Sequence, residues 1–358
     1  MSKVEFSMNV GYTTAELNFK NLEEIGQEGK NSKVFRSHDK QLDAELVTKH
    51  IEKSKLKDAN EFFSEAKRLY DSSHPNVVQI KYACQDADYI YLAMPFYKNG
   101  SLKKLIEQRF LTVREVLRYS IQFLTGLNNI HVKKLIHFDI KPDNILISDS
   151  NEALVSDFGL SKNMNAFGMT ATDQVYSFQA PPDIFQQTEH SNLYDIYMAG
   201  VTIYRICNGN ELFKKQVQKY PTSDLFKNAI LKGEFPDRKL YLPHIPKKLR
   251  DTITKAIRPD QTQRHKTVIE LINNLSTIDK LLDWQYLPNG NEQIWRLDLD
   301  DKTIEVNLKI NGLTAEIQSS KTMKNSGKIQ KINSGCKSNV SINDKDKAIQ
   351  TILLDLEP

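Results

Sequence analysis

Cysteine, glycine and proline are all scarce in this chain. Three cysteines (Cys84, Cys207 and Cys336) in 358 residues are odd in number and far apart. They make neither a disulfide framework nor a zinc site, and they suit a reducing cytosol. Fourteen glycines and twelve prolines exclude a fibrous or broadly disordered chain. No apolar run approaches the roughly 18–20 residues that cross a bilayer. The opening MSKVEFSMNV has no apolar core of a signal peptide. An excess of charge of one sign is missing too: 49 basic against 45 acidic residues leave a net +4, too little to argue for nucleic acid or an anionic membrane. Neither partner is therefore expected, and the chain reads as cytoplasmic. What remains is 39% apolar and 26% charged residues. That is a globular balance, long enough for two or three folding units at about 150 residues each.

Residues 19–95 read as strands around one helix. Strand signals fall at Leu22–Ile25, Lys33–Ser37, Leu46–Ile51, Val77–Ala83 and Tyr89–Met94. Between them, Asp58–Tyr70 sets Phe62, Ala66 and Leu69 at helical spacing. Residues 97–280 read mostly as helix. Thr112–Val132 carries a stripe of Val113, Val116, Leu117, Ile121, Leu124, Leu127 and Ile130, which is core. A short hairpin interrupts it, with Asn144–Ile147 and Ala153–Ser156 around a Ser-Asp-Ser-Asn turn. Helices are expected around Leu193–Asn208, Pro246–Ile257 and Thr267–Asp283. Alternation at Ile294–Leu299 and Thr303–Ile310, with Asn311-Gly312 leading to Leu313–Ile317, predicts a small β-meander. Ser319–Asn343 is rich in Ser, Asn and Lys and reads as flexible. Ala348–Leu356 reads as a last amphipathic helix or strand.

The chemistry lies in an ordered set of motifs. Gly26 and Gly29 sit between two strand signals, in Ile25 to Val34, where glycine lets backbone N–H groups approach phosphates. Lys49 ends an apolar strand, and Glu65 follows sixteen residues later on the predicted helix. Each alone reads better as a solvated side chain. The decisive stretch is His137-Phe138-Asp139-Ile140-Lys141-Pro142-Asp143-Asn144, with Asp157-Phe158-Gly159 starting thirteen residues after Asn144. Asp139, Lys141 and Asn144 can line one loop, with Asp157 facing them from a hairpin end. Carboxylate and amide oxygens suit Mg²⁺, and Asp139 is then left to orient a hydroxyl nucleophile.

These motifs, in this order, resemble the eukaryotic-type serine/threonine protein kinases over about residues 20–280. The resemblance implies an α+β, bilobal fold: a β-rich N-lobe (19–95), a helical C-lobe (96–283) and a small β-rich extension (284–358), after an N-terminal extension (1–18). It implies ATP and Mg²⁺ as cofactors and protein substrates as partners, the chain itself among them. Ile25, Gly26, Gly29, Ser32 and Val34 then form the glycine-rich lid, and Val47, Met94, Phe96, Tyr97 and Leu146 the adenine pocket. Lys49 holds the α/β-phosphates and Glu65 orients it. Asn144 and Asp157 hold the metal, Asp139 accepts the hydroxyl proton and Lys141 steadies the γ-phosphate. A lysine two residues after the catalytic Asp is the serine/threonine pattern. His74-Pro75-Asn76 matches the turn after helix C, and Asp195 lies in the segment resembling helix F.

Several positions depart from the family. The glycine spacing is irregular, and Val47 narrows the adenine site. Phe138 replaces the arginine that receives an activation-loop phosphate, which implies activity without that phosphorylation; Thr170 and Thr172 are the acceptors that would need another partner. Val175 replaces a threonine. Pro182 replaces the glutamate expected to pair with Arg264, for which Asp183, one residue on, can substitute. The alternative reading is a pseudokinase scaffold that binds nucleotide and signals through partners. Residues 284–358 read as a brace on the C-lobe, a sensor or a partner-binding module. Ser319, Ser320, Thr322 and Ser326 are candidate autophosphorylation sites.

Overall fold

The computed structural model describes residues 17–25, 32–55, 67, 70, 73–158, 161–172 and 178–358. It divides into two units, the first ending at Phe96 and the second carrying 97–358 together with the stretch at 73–78. The expected helix over Asp58–Tyr70 lies outside the described residues, apart from Lys67 and Tyr70.

The first unit is an antiparallel sheet of five strands: β1 (Phe19–Glu24), β2 (Ser32–Asp39), β3 (Ala44–Glu52), β4 (Tyr82–Gln85) and β5 (Tyr89–Pro95). Their order is β1-β2-β3-β5-β4. Register fixes which side chains share a face, because the side-chain period of a strand is two. Val34 pairs with Lys49 and Arg36 with Val47. Lys49 pairs with Leu92 and Val47 with Met94. Opposite that face, Asn21, Ser37, Thr48 and His50 form a hydrogen-bonded chain, with Ser37 and Thr48 fully buried. Val77–Ala83 is not one strand as expected. Val77 and Val78 are buried, Val77 bridging to Val155, and β4 starts only at Tyr82.

The second unit is helical at its centre. Its helices are α1 (Leu102–Gln108), α2 (Val113–Val132), α3 (Leu193–Asn208), α4 (Asn210–Val217), α5 (Ser223–Lys232), α6 (Lys247–Ala256) and α7 (Val268–Leu275). α2 starts where Thr112 and Glu115 form a capping box, each side chain taking the other's backbone N–H. Its apolar stripe is buried as the spacing predicts, except Ile121, which is half-buried. α7 ends at Leu275, eight residues short of the expected Asp283. Two glycines allow close approach: a Cβ on Gly126 would lie 2.2 Å from the Asn76 carbonyl oxygen, and one on Gly200 2.7–2.8 Å from Ile257 and Ala256. Short strands punctuate the helices: β6 (Leu135–Ile136), β7 (Ile145–Ile147), β8 (Ala153–Val155), β9 (Lys162–Asn163), β10 (Thr170–Ala171) and β11 (Glu189–His190). β7 pairs with β8 as the expected hairpin.

A six-stranded antiparallel sheet follows: β12 (Gln285–Asn289), β13 (Glu292–Asp298), β14 (Lys302–Asn311), β15 (Thr314–Met323), β16 (Ile329–Lys331) and β17 (Lys337–Ser341). Helix α8 (Lys345–Leu356) closes it. The stretch read as flexible is strand-bearing instead. β15 continues to Met323, and both β16 and β17 pair with it. Ser319 is buried, its hydroxyl donating to the Gly335 carbonyl at 2.6 Å. Burial removes Ser319 as a phosphate acceptor in the folded chain, whereas Ser326 lies in an exposed turn. Trp284, Trp295, Val306, Leu308, Ile349 and Leu353 share one core, against which Phe110 and Leu242 of the helical region pack. Trp295 Nε1 donates to His244 Nδ1 at 3.2 Å, and Arg114 holds Asp283 through two bonds of 2.5 and 2.8 Å. Among the described residues no helix is long and apolar enough to cross a membrane.

Candidate active site

The loop from His137 to Asn144 is tied down from below. Asp195, fully buried in the first turn of α3, accepts the N–H groups of His137 and Phe138 at 2.8 and 2.9 Å. It also bonds His131 Nε2 at 2.7 Å. These bonds hold Phe138 at φ +65°, a region costly for a non-glycine residue. His137 is locked in turn: its Nδ1 accepts the Asp139 N–H at 3.2 Å. Its Nε2 therefore carries the proton and donates to the Ser156 carbonyl at 3.1 Å. The ring meets Phe158 edge-on, with centroids 5.1 Å apart.

On this base the polar groups converge. Lys141 Nζ lies 2.7 Å from Asp139 Oδ2. Asn144 Nδ2 donates to the same oxygen at 2.7 Å and to the Asp139 carbonyl at 2.9 Å. Both amide hydrogens of Asn144 are thus committed, and its carbonyl oxygen is what it can offer a ligand. Ser156 donates its N–H and its hydroxyl to the Asn144 backbone carbonyl at 2.9 and 3.0 Å. The next residue, Asp157, is exposed and sits at φ +60°. Of the expected set, Asp139, Lys141 and Asn144 are thus bonded to one another, and Asp157 follows Ser156, the residue that bonds the Asn144 backbone. The oxygen donors of the set fit a hard cation such as Mg²⁺.

Phe138 is buried and stacks edge-on with Tyr194 at 5.0 Å and His190 at 6.1 Å. His190 lies on β11, which pairs with β10 at Thr170 and Ala171. Burial depresses the His190 pKa, so the ring stays neutral within this aromatic group. Thr172 is buried. Arg264, buried, donates to Asp183 through Nη2 at 2.5 Å and Nη1 at 3.3 Å. Gln179 bridges the loop to α3, donating to the Ile140 carbonyl and to Thr202, and its oxygen accepts from Arg205. Desolvation lowers the Arg205 pKa to about 10. Asp195, His131 and Gln179 act through residues 19 to 64 positions away, and Arg205 reaches Gln179 across 26, so no local spacing marks them.

In the first unit, Val34, Val47, Lys49 and Met94 share one half-buried sheet face. Arg36 stacks over the Phe96 ring at 5.1 Å and pairs with Glu45. Ser32 opens β2, and Ile25 donates its N–H to the Val34 carbonyl at 2.8 Å. In the second unit, Leu146 is half-buried in β7, and the Tyr97 carbonyl accepts from Gly100 at 3.0 Å. Asn76 docks on β8, donating to the Ala153 carbonyl at 3.1 Å. Gly26, Gly29, Glu65, Gly159 and Val175 lie outside the described residues.

A five-stranded sheet of this order and, in the second unit, a loop seated on α3 are features of the protein kinase fold. The chain belongs to the protein kinase domain family, which it matches over residues 19–275. It is 26% identical over 276 residues to the serine/threonine-protein kinase PrkC of Bacillus subtilis, covering 74% of this chain and 42% of that protein. It is 27% identical over 252 residues to the serine/threonine-protein kinase Nek5 of Mus musculus, covering 69% of this chain and 38% of that protein. The chain spans less than half the length of the curated relatives it matches.

Proposed function

We propose that the protein transfers the γ-phosphate of Mg-ATP to serine and threonine hydroxyls of proteins, itself among them. The bonding around Asp139 carries this reading. Both of its side-chain bonds end on Oδ2, which leaves Oδ1 to accept the proton of an incoming hydroxyl. Lys141, held by Asp139, is placed to steady the transferred phosphoryl group. Asn144 and Asp157 are the residues to hold Mg²⁺, which when bound neutralises charge on the phosphates. Lys49 takes the α/β-phosphates, with Val34, Val47 and Met94 beside it on the same sheet face. Ser32, Phe96, Tyr97 and Leu146 complete the nucleotide site on this reading.

The aromatic packing of Phe138 supports a second element of the proposal, namely activity without activation-loop phosphorylation. An apolar contact to Tyr194 and His190 stands where a cation would meet a phosphate. Residues 284–358 serve as a brace on the helical unit, a role supported by Trp295 on His244 and by Gln285 Nε2 on the Phe110 carbonyl at 2.8 Å. The test is transfer of labelled phosphate from Mg-ATP to generic protein substrates by the wild type and by Asp157→Ala. Transfer by the wild type alone supports the reading. Nucleotide binding with no transfer to any substrate replaces it with the scaffold.

A further inference from the structure

A polar pocket of about 310 Å³ lies away from the catalytic loop. Arg238, Lys239 and Tyr241, in the loop after α5, form one wall; Lys247, Arg250 and Thr254 on α6 form the other. The helical residues are spaced i, i+3 and i+7, so they share one stripe. The single carboxylate in the lining, Asp251, is paired with Lys247 at 2.6 Å. Four cations against one carboxylate leave a local charge of +3. α6 begins here with no side-chain cap and no acidic residue in its first turn. Its N-terminal dipole therefore adds to the positive field.

Two further observations point to a missing acceptor. Tyr241 is 8% exposed; its hydroxyl lies against Thr254, and its own proton finds no acceptor among the described residues. The Arg250 Nε is likewise buried and unpartnered, while its Nη2 is anchored on Gln350 Oε1 at 3.2 Å. Leaving a buried donor unpaired costs about 1–3 kcal/mol, a cost removed when an anion supplies the acceptor. Burial raises the Tyr241 pKa, which keeps its hydroxyl a donor. No aliphatic side chain lines the cavity, so nothing there holds an acyl chain. Arginine forks, lysine ammonium groups and a floor hydroxyl match a compact dianion.

We propose that this pocket binds a phosphomonoester carried on a phosphorylated serine or threonine of a protein. The site is separate from the proposed phosphotransfer site: it shares no lining residue with the catalytic loop. It would let the protein hold a segment that has already been phosphorylated.

The test is calorimetric titration of the full chain with ADP in excess, so that the nucleotide site is filled. The probes are a phosphoserine peptide flanked by alanine and glycine, its unphosphorylated twin and inorganic phosphate. The phosphopeptide is expected to bind at least tenfold more tightly than its twin. The double variant Lys239→Glu/Lys247→Glu, both exposed positions, should weaken it at least tenfold with ADP affinity unchanged. Tyr241→Phe, which removes only the hydroxyl, should weaken it by about three- to tenfold. Equal affinity for the twin, or phosphopeptide binding unchanged in the double variant, overturns the site. Equal affinity for inorganic phosphate and phosphopeptide overturns the side-chain source and assigns the pocket to the free ion.

Discussion

Arg264 and Asp183 form a buried, two-pronged ion pair one position beyond Pro182. The family's partner for this arginine is a glutamate where Pro182 stands, and the aspartate's shorter side chain meets the guanidinium from the next residue. Arg264 also donates to the carbonyls of Arg258, Leu193 and Pro259 at 2.7, 3.0 and 3.0 Å. Every donor of the fork is thus engaged, which buried charge requires.

Removing one partner leaves the other charge buried and unpaired. Asp183→Ala is expected to destabilise the helical unit by about 3–5 kcal/mol. Chemical unfolding followed by tryptophan fluorescence measures it, since Trp284 and Trp295 are both fully buried. A loss below about 1 kcal/mol, the scale of an exposed pair, would contradict the account.

The catalytic loop makes a kinetic prediction. Asp139→Ala removes the proposed base and should lower kcat by roughly 10²–10⁴-fold. Its neighbours Lys141 and Asn144 lose a bond but remain solvent-reachable or backbone-tied, so the fold should persist. Circular dichroism beside the kinetics separates lost chemistry from lost structure.

Phe138 was readable as a departure, but its surroundings were not. Nothing near it in the chain points to His190 or Tyr194, 52 and 56 residues on. Restoring the arginine should not restore a phosphate switch. Phe138→Arg places a guanidinium in an apolar aromatic site and should cost at least about 2 kcal/mol. A variant as stable as the wild type would show the site to be roomier and wetter than the stacking implies.

One buried and one half-buried histidine, His244 and His50, set a pH dependence. Burial holds His244 at about 3 and His50 at about 4, against an ordinary 6.5. In the unfolded chain both take a proton as pH falls through 6.5; folded, they stay neutral until well below it. Stability is therefore full above about pH 6.5 and declines toward pH 4. Urea midpoints across that range should fall, and His244→Phe should reduce the slope.

The C-terminal sheet shows where reading the sequence stops. Alternation in Thr303–Ile310 and the Asn311-Gly312 turn mark β14 and the hairpin to β15. Beyond Ile317 the residues turn polar, and composition alone suggests flexibility. Yet β15 is flanked there by β16 and β17. Backbone pairing and the small Ser319–Gly335 contact order the segment, and neither leaves an apolar pattern. The same holds at the site. Motif spacing named Asp139, Lys141 and Asn144, which one loop brings together, and it named Val34, Val47, Lys49 and Met94, which strand register sets on one face. Asp195 and Gln179 were not legible as supports, because their partners are distant in sequence.

Helix α8 supplies Ile349, Ile352 and Leu353 to the C-terminal core. Each is worth about 1.5–3 kcal/mol when fully buried. Deleting 345–358 should strip hydrogen-exchange protection from β13, β14 and β15 while leaving β2, β3 and β5 protected. Unchanged protection in β14 would show that the sheet stands without its helix.

The most direct test of the central claim is the time course of phosphate incorporation by fully dephosphorylated protein in Mg-ATP, read by intact mass and phosphopeptide mapping beside Asp139→Ala. The account predicts phosphate on serine or threonine in the wild type only, accumulating linearly from the first time point. No incorporation into the chain or into added protein substrates would contradict the assigned activity. A lag that vanishes once the activation segment is phosphorylated would contradict the role given to Phe138.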